Sequence, residues 1–272
     1  MHPELANFGF VHLKTYGALI AVGFLLCWKL IEKLSGRNDL SNFILSLMVA
    51  GIVGARAAYV IENWQSQFAF RPFDVLRIDQ GGLVFYGGLV LAIAVFFGWC
   101  IIKKESPAAL GDLFCAAIPL GHAFGRIGCF FYGCCYGKRS ASALAVCFPV
   151  HSPAWHEQIA AGELPRTATC SLPVLPAQLF EAAALLILFA IVFLLYRKLY
   201  AAKTRVYAHG MVAGAYLMGY SAIRFALEYL RGDPRAQVGP LSIAQTISFA
   251  IFALGVLFIA VPLALKKKGA PK

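Results

Sequence analysis

Charge is scarce in this 272-residue chain: 14% of residues are Asp, Glu, Lys or Arg against 60% hydrophobic, and the mean hydropathy is +0.72. That balance excludes an ordinary water-soluble domain, which has no use for so much apolar surface. Acidic residues are the scarcer sign, 13 against 24 basic ones, and the net charge is +11. A basic protein of this kind would suit nucleic acid if its charge were gathered on one face. Here it is spread through short connections between apolar runs, where topology signals belong, so no nucleic-acid partner is expected. Also missing are a CxxC pair, the lysine of a phosphate-binding P-loop, an internal repeat and any low-complexity tract. Met1 to Phe10 carries no Lys or Arg ahead of the first apolar run. That run is therefore expected to stay as a helix rather than to be removed as a signal peptide.

What the chain does have is long hydrophobic runs, at 13–31, 42–61, 82–102, 110–132, 178–196, 209–229 and 242–264. Each approaches the roughly 20 residues that cross a hydrocarbon core. Backbone polar groups in lipid must be satisfied within the segment, so the runs are expected to be helices. The expected fold is an all-α integral membrane protein, a single domain over 1–272 with seven transmembrane helices. Lys29, Lys33, Arg37, Lys103, Lys104, Arg197, Lys198, Lys203, Arg205, Lys266, Lys267, Lys268 and Lys272 fall on one side of the spans. Only Lys14, Arg71, Arg77, Lys138, Arg139, Arg166, Arg231 and Arg235 fall on the other. The positive-inside rule then puts the N-terminus outside and the C-terminus in the cytoplasm. Residues 134–176, punctuated by five prolines, should form a small extracytoplasmic head between the fourth and fifth helices.

Three arginines remain within or near the membrane: Arg56, Arg126 and Arg224. A guanidinium there is costly unless it is paired or faces water, so each is a candidate for function. In Gly121-His122-Ala123-Phe124-Gly125-Arg126-Ile127-Gly128-Cys129, helical spacing puts His122, Arg126 and Cys129 on one face. The three glycines admit a neighbouring helix or a lipid head group. Arg224, Glu228 and Arg231 repeat the spacing, with Glu228 placed to hold both guanidinium groups. A guanidinium fork fits a pair of phosphate oxygens. Gly81 to Gly88, at the outer start of the third run, lets backbone approach an anion and can point Tyr86 into a cavity.

Cys27, Cys100 and Cys115 lie inside apolar runs and read as small hydrophobes. Adjacent Cys134 and Cys135 rarely ligate one ion together, so no metal is expected from them with Cys129 and His122. A disulfide from this pair to Cys147 or Cys170 is expected instead, in an oxidising compartment.

Several stretches also stand in a telling order: Thr15-Tyr16-Gly17, Gly54-Ala55-Arg56-Ala57-Ala58-Tyr59, Gly82 to Gly88, Gly125-Arg126-Ile127-Gly128-Cys129-Phe130 and Pro176-Ala177-Gln178-Leu179-Phe180-Glu181. Arg224-Phe225, Arg231-Gly232-Asp233 and Gln245 to Ser248 follow. Together they resemble the prolipoprotein diacylglyceryl transferase family along nearly the whole chain. The resemblance implies a bacterial inner-membrane enzyme with its active site toward the outer leaflet and no cofactor. It implies phosphatidylglycerol as donor and the lipobox cysteine of a preprolipoprotein as acceptor, joined as a thioether with release of glycerol phosphate. Arg126 and Arg224 would clamp the departing phosphate. Tyr16, Arg56, Gly87, Gly88, Gly128, Gln178, Glu181, Glu228 and Arg231 would bind substrate among membrane lipids.

Departures from the family pattern fall close to the chemistry. Tyr86 replaces the family's loop histidine, Cys129 its asparagine, and Tyr132-Gly133-Cys134 its Asn-Gly-Glu. A phenol with a pKa near 10 is a poor base at neutral pH, so His122 is the expected base and Tyr86 an auxiliary. A small thiol, a sugar or another lipid would be the alternative acceptor. A transporter of anionic lipid would be expected to show inverted repeats, and none is visible.

Overall fold

A computed structural model describes residues 4–7, 12–77, 81–202, 209–233 and 237–268. Lys203, Arg205, Arg235 and Lys272, used in the orientation argument, and most of Met1 to Phe10 lie outside the described residues. Helix dominates, as the apolar runs require. In chain order come β1 (Glu4–Asn7) and β2 (His12–Lys14), an antiparallel pair, then α1 (Thr15–Ser35), α2 (Leu40–Glu62), α3 (Phe85–Lys103), α4 (Pro107–Cys115), α5 (Ile118–Tyr132), α6 (Pro153–Ala160), α7 (Ala177–Ala202) and α8 (Met211–Glu228). A two-residue hairpin pair, β3 (Gln237–Val238) and β4 (Leu241–Ser242), leads into α9 (Ile243–Lys268).

Among the described residues, α2, α3, Ala177–Tyr200 of α7 and Ile243–Ala264 of α9 are long and apolar enough to cross a membrane. Taken as one bent span, α4 and α5 make a fifth. The single helix expected over 110–132 is broken there by a bend of 43°. Pro119, in the first turn of α5, has no N–H to donate, and its ring would crowd the carbonyl four residues back. The chain turns at Ala116 and Ala117 instead, held by bonds from Ala117 N to Phe114 O and from Leu120 N to Ala117 O.

The chain divides into two compact units, residues 32–110 and residues 1–31 with 111–272. In the first, α2 packs on α3 through glycine: a Cβ on Gly88 would lie 2.5 Å from the Gly51 carbonyl, and one on Gly87 would strike Gly54 and Ala58. Large apolar side chains of both helices, Val53 and Val90 among them, point outward, which suits hydrocarbon and not water. Arg56 is buried and organises the connection between the two helices. It donates to the carbonyls of Val75 (2.8 Å), Asp74 (2.6 Å), Gly81 (2.9 Å) and Gly82 (3.1 Å).

In the second unit, α1 crosses α5 at Gly23 and Gly121, α5 packs on α7, α7 on α8 and α8 on α9. Asp112, fully buried on α4, accepts from the backbone N–H of Gly210 and Ala213, each at 2.8 Å. A carboxylate from another element thus caps the first turn of α8 and meets the positive end of its dipole. Residues 134–176 are ordered around a small core of Tyr136, Phe148, Ala154 and Val174. Ser152 caps α6 by accepting from Trp155 N. Trp155 in turn donates Nε1–H to Ala168 O at 3.0 Å.

Gly87→Val should lower the thermal unfolding midpoint of detergent-solubilised protein, because overpacking of a tight crossing costs about 1–3 kcal/mol. Asp112→Ala should do the same by stranding two buried N–H groups, again at about 1–3 kcal/mol. An unchanged midpoint in either variant would contradict the contact it removes.

Candidate active site

Helix α5 carries the centre of the site, and the i, i+4 spacing of His122 and Arg126 makes them contact as expected. Arg126 Nε lies 3.0 Å from Glu181 Oε1 on α7, but its single hydrogen points to His122 Nε2 at 3.2 Å. Glu181, almost wholly buried, therefore supplies charge to Arg126 without an aligned hydrogen bond to that oxygen. His122 Nε2 accepts, so the imidazole is the neutral tautomer with its proton on Nδ1. Its ring lies 5.2 Å from that of Tyr220 on α8. Tyr220 is also in hydrogen-bonding contact with Arg126.

Arg224 stands one turn beyond Tyr220 on α8. Its Nη2 pairs with Glu228 at 2.8 Å, while Nη1 is buried with no hydrogen-bond partner among the described residues. Both Arg126 and Arg224 lie within electrostatic reach of His122 and Tyr220. A buried guanidinium with an unused N–H is an incomplete anion site. Glu228 was expected to hold Arg231 as well. Because α8 ends at Glu228, Arg231 has left the helix and makes a bidentate pair with Asp233 instead, at 2.8 and 2.7 Å.

The glycines of α5 divide in use. Gly121 is covered by Cys27 and Gly128 by the ring of Tyr16, whereas a Cβ on Gly125 would meet open space. Two of the three glycines are thus used in packing, and Gly125 is not. Gln178, in the first turn of α7, donates to the Cys134 carbonyl at 2.7 Å.

In the unit of residues 32–110, Arg56 borders a cleft of about 450 Å³ lined also by Tyr59, Gln67, Arg71 and Asp74. Gly87 and Gly88 face α2 in the helix crossing, and Tyr86 is exposed.

All eight cysteines are free thiols, so the expected disulfide is absent. Cys134 and Cys135 are turned toward Cys129, and Cys147 and Cys170 face each other instead. Hydrogen bonds from Cys129 and Cys134, helped by the Arg231 guanidinium, hold the Cys135 thiol far below its usual range. The same sharing pushes Cys134 up. Tyr220 escapes the sequence reading, although its position four residues before Arg224 is a signal for it. The sequence reading sets the sulfur cluster aside because Cys134 and Cys135 are adjacent, and the backbone conformation brings the three sulfurs together all the same.

Known proteins of similar sequence share one description. Phosphatidylglycerol–prolipoprotein diacylglyceryl transferase 2 of Clostridium perfringens is 32% identical over 254 residues, 90% of this chain and 89% of its own length. The phosphatidylglycerol–prolipoprotein diacylglyceryl transferase of Pseudoalteromonas translucida is 30% identical over 97% of this chain and 95% of its own. That of Geobacter sulfurreducens is 28% identical over 98% and 97%. The profile of the family described as prolipoprotein diacylglyceryl transferase matches residues 3–261. With the motifs in order and the family profile matched over nearly its whole length, the chain belongs to the prolipoprotein diacylglyceryl transferase family.

Proposed function

We propose that the protein transfers the diacylglyceryl group of phosphatidylglycerol to the lipobox cysteine of preprolipoproteins. The observation that carries this reading is the pair of buried guanidinium groups acting on one histidine, with an unused N–H on Arg224. Cleaving the glyceryl C–O bond leaves negative charge on the departing glycerol phosphate. Fixed guanidinium donors in a low-dielectric site favour that charge strongly. The acceptor sulfur attacks as thiolate, so its proton needs a base. His122 is neutral and suited to the task, but its Nε2 is engaged by Arg126. Donor binding would draw Arg126 toward phosphate and release that lone pair, coupling lipid binding to thiol activation.

Glu181 holds Arg126 in register from α7, Gln178 steadies the turn after α5, and Glu228 orients Arg224. Tyr16 and Gly128 close one wall of the site, and Arg231 braces the turn beyond α8. Arg56, Gly87 and Gly88 shape the loop and helix start that carry Tyr86. In the full topology, α1 and α8 join the apolar spans to make seven. Helix α8 would be about 27 Å long, and its polar residues Ser221, Arg224 and Glu228 turn inward rather than toward lipid. The N-terminus is then outside, the C-terminus cytoplasmic, and residues 134–176 cover the site at the outer leaflet of the bacterial inner membrane.

Arg126→Ala and Arg224→Ala should each abolish release of glycerol phosphate from labelled phosphatidylglycerol in the presence of a lipobox peptide. Wild-type rates in folded protein would remove those arginines from the mechanism. Activity should rise with pH as the imidazole loses its proton, and His122→Gln should flatten that limb while lowering the rate by about 10²–10⁴. Tyr86→Phe should cost less. Full activity in His122→Gln with none in Tyr86→Phe would reverse the assignment of the base.

A further inference from the structure

The sulfur atoms of Cys129, Cys134 and Cys135 all lie within 4.8 Å of one another, although two of these residues are adjacent in sequence. The backbone explains how. The end of α5 is a Schellman motif: Cys134 N donates to Cys129 O at 3.2 Å and Gly133 N to Phe130 O at 3.2 Å, with Gly133 left-handed at φ 82°. That motif brings the fourth-last helical side chain beside the second residue past the helix, here Cys129 beside Cys134. Cys135 is then also left-handed, at φ 62°. A non-glycine residue there is strained, and such strain persists only where the surroundings hold it. This turn points the third sulfur back toward the other two, defeating the rule that neighbouring cysteines face apart.

The turn is also braced. Gln178 donates to Cys134 O, Ala154 N donates to Gly133 O at 3.2 Å, and a Cβ on Gly133 would lie 2.9 Å from Ser152. The Arg231 guanidinium, fixed by Asp233, hydrogen-bonds the Cys135 sulfur, and Arg126 lies one turn before Cys129 on α5. Three thiolates around a divalent ion carry one net negative charge, and these guanidinium groups oppose it.

We propose that Cys129, Cys134 and Cys135 form a three-thiolate zinc site whose fourth position is open to an external thiol. Zinc–sulfur bonds of about 2.3 Å need sulfurs about 3.8 Å apart in a tetrahedron, within reach by small side-chain rotations. Soft thiolates select a thiophilic ion, and no other Cys, His, Asp or Glu among the described residues completes the set, which is the pattern of an open rather than a closed zinc site. The identity of the fourth ligand rests on the transferase reading, whereas the metal site does not. A lipobox thiol binding there would give its proton to His122, the base of the transferase reading, and be held as thiolate by the ion. Its sulfur would then form the C–S bond as the glyceryl C–O bond breaks, with the electron pair leaving on glycerol phosphate.

The test uses the full chain, purified in detergent under reducing conditions, loaded with zinc and desalted. One zinc per chain is expected, and zinc should shield Cys129, Cys134 and Cys135, but not Cys147, from alkylation read residue by residue in the unmutated protein. Cys134→Ser and Cys135→Ser should lose the ion and Cys147→Ser keep it. No retained zinc, copper in its place, or equal alkylation of all four thiols would overturn the site. In the cobalt-loaded protein, a lipobox peptide should change the thiolate-to-metal absorption and its Cys→Ser counterpart should not. An unchanged spectrum would overturn the open position alone. Zinc binding without glycerol phosphate release would leave the site standing and count against the transferase reading.

Discussion

A guanidinium inside an apolar bundle needs a carboxylate beside it, and the approach of Glu181 to Arg126 is the contact on which the site depends. Breaking such a buried pair by removing one partner typically costs about 3–5 kcal/mol. The pair therefore fixes the register of α7 against α5, and with it Gln178 against the turn that follows α5. Because Arg126 gives its Nε hydrogen to His122 rather than to Glu181, the carboxylate holds the charge in place while the histidine decides where the N–H points. The charge is stable, but its hydrogen bond is exchangeable. That combination suits the phosphate-binding role proposed for Arg126.

Close helix approach makes the rest possible. Gly23 and Gly121 let α1 lie against α5, and Gly214 and Gly255 let α8 lie against α9. In hydrocarbon, where lipid tails compete for apolar contact, such small-residue crossings supply the packing that larger side chains supply in water. Polar contacts then set what the crossings leave free. Asp112 fixes the start of α8, and Arg56 fixes the connection between α2 and α3 through four main-chain carbonyls. Arg56 thus acts on backbone, in contrast to Arg126 and Arg224, whose partners are side chains.

The departures from the family pattern acquire a common logic in the second unit. The family's Asn and the Glu of its Asn-Gly-Glu are Cys129 and Cys134 here, and the helix-ending motif at Gly133 gathers both with Cys135 at one point beyond Arg126. Two departures that lie apart in the sequence are one change in space.

Membrane character, helical elements and the pairing of His122 with Arg126 were legible from the sequence alone. They follow from hydropathy and from the 3.6-residue period, which are local properties. The reach of Glu228 to Arg224 was legible for the same reason. Its reach to Arg231 was not, because the spacing holds only while the helix continues, and α8 stops at Glu228. Pro119 was visible, yet the bend it imposes on the fourth apolar run depends on where the chain could turn. Only the tertiary structure decided that Glu181 faces Arg126, that the Tyr220 ring lies tilted beside His122, and that Arg56 binds carbonyls. Each joins residues tens of positions apart through packing. It also decided the partners of the cysteines: the expected oxidising compartment pointed Cys134 and Cys135 to Cys147 or Cys170, whereas left-handed backbone at Gly133 and Cys135 turns both back toward Cys129.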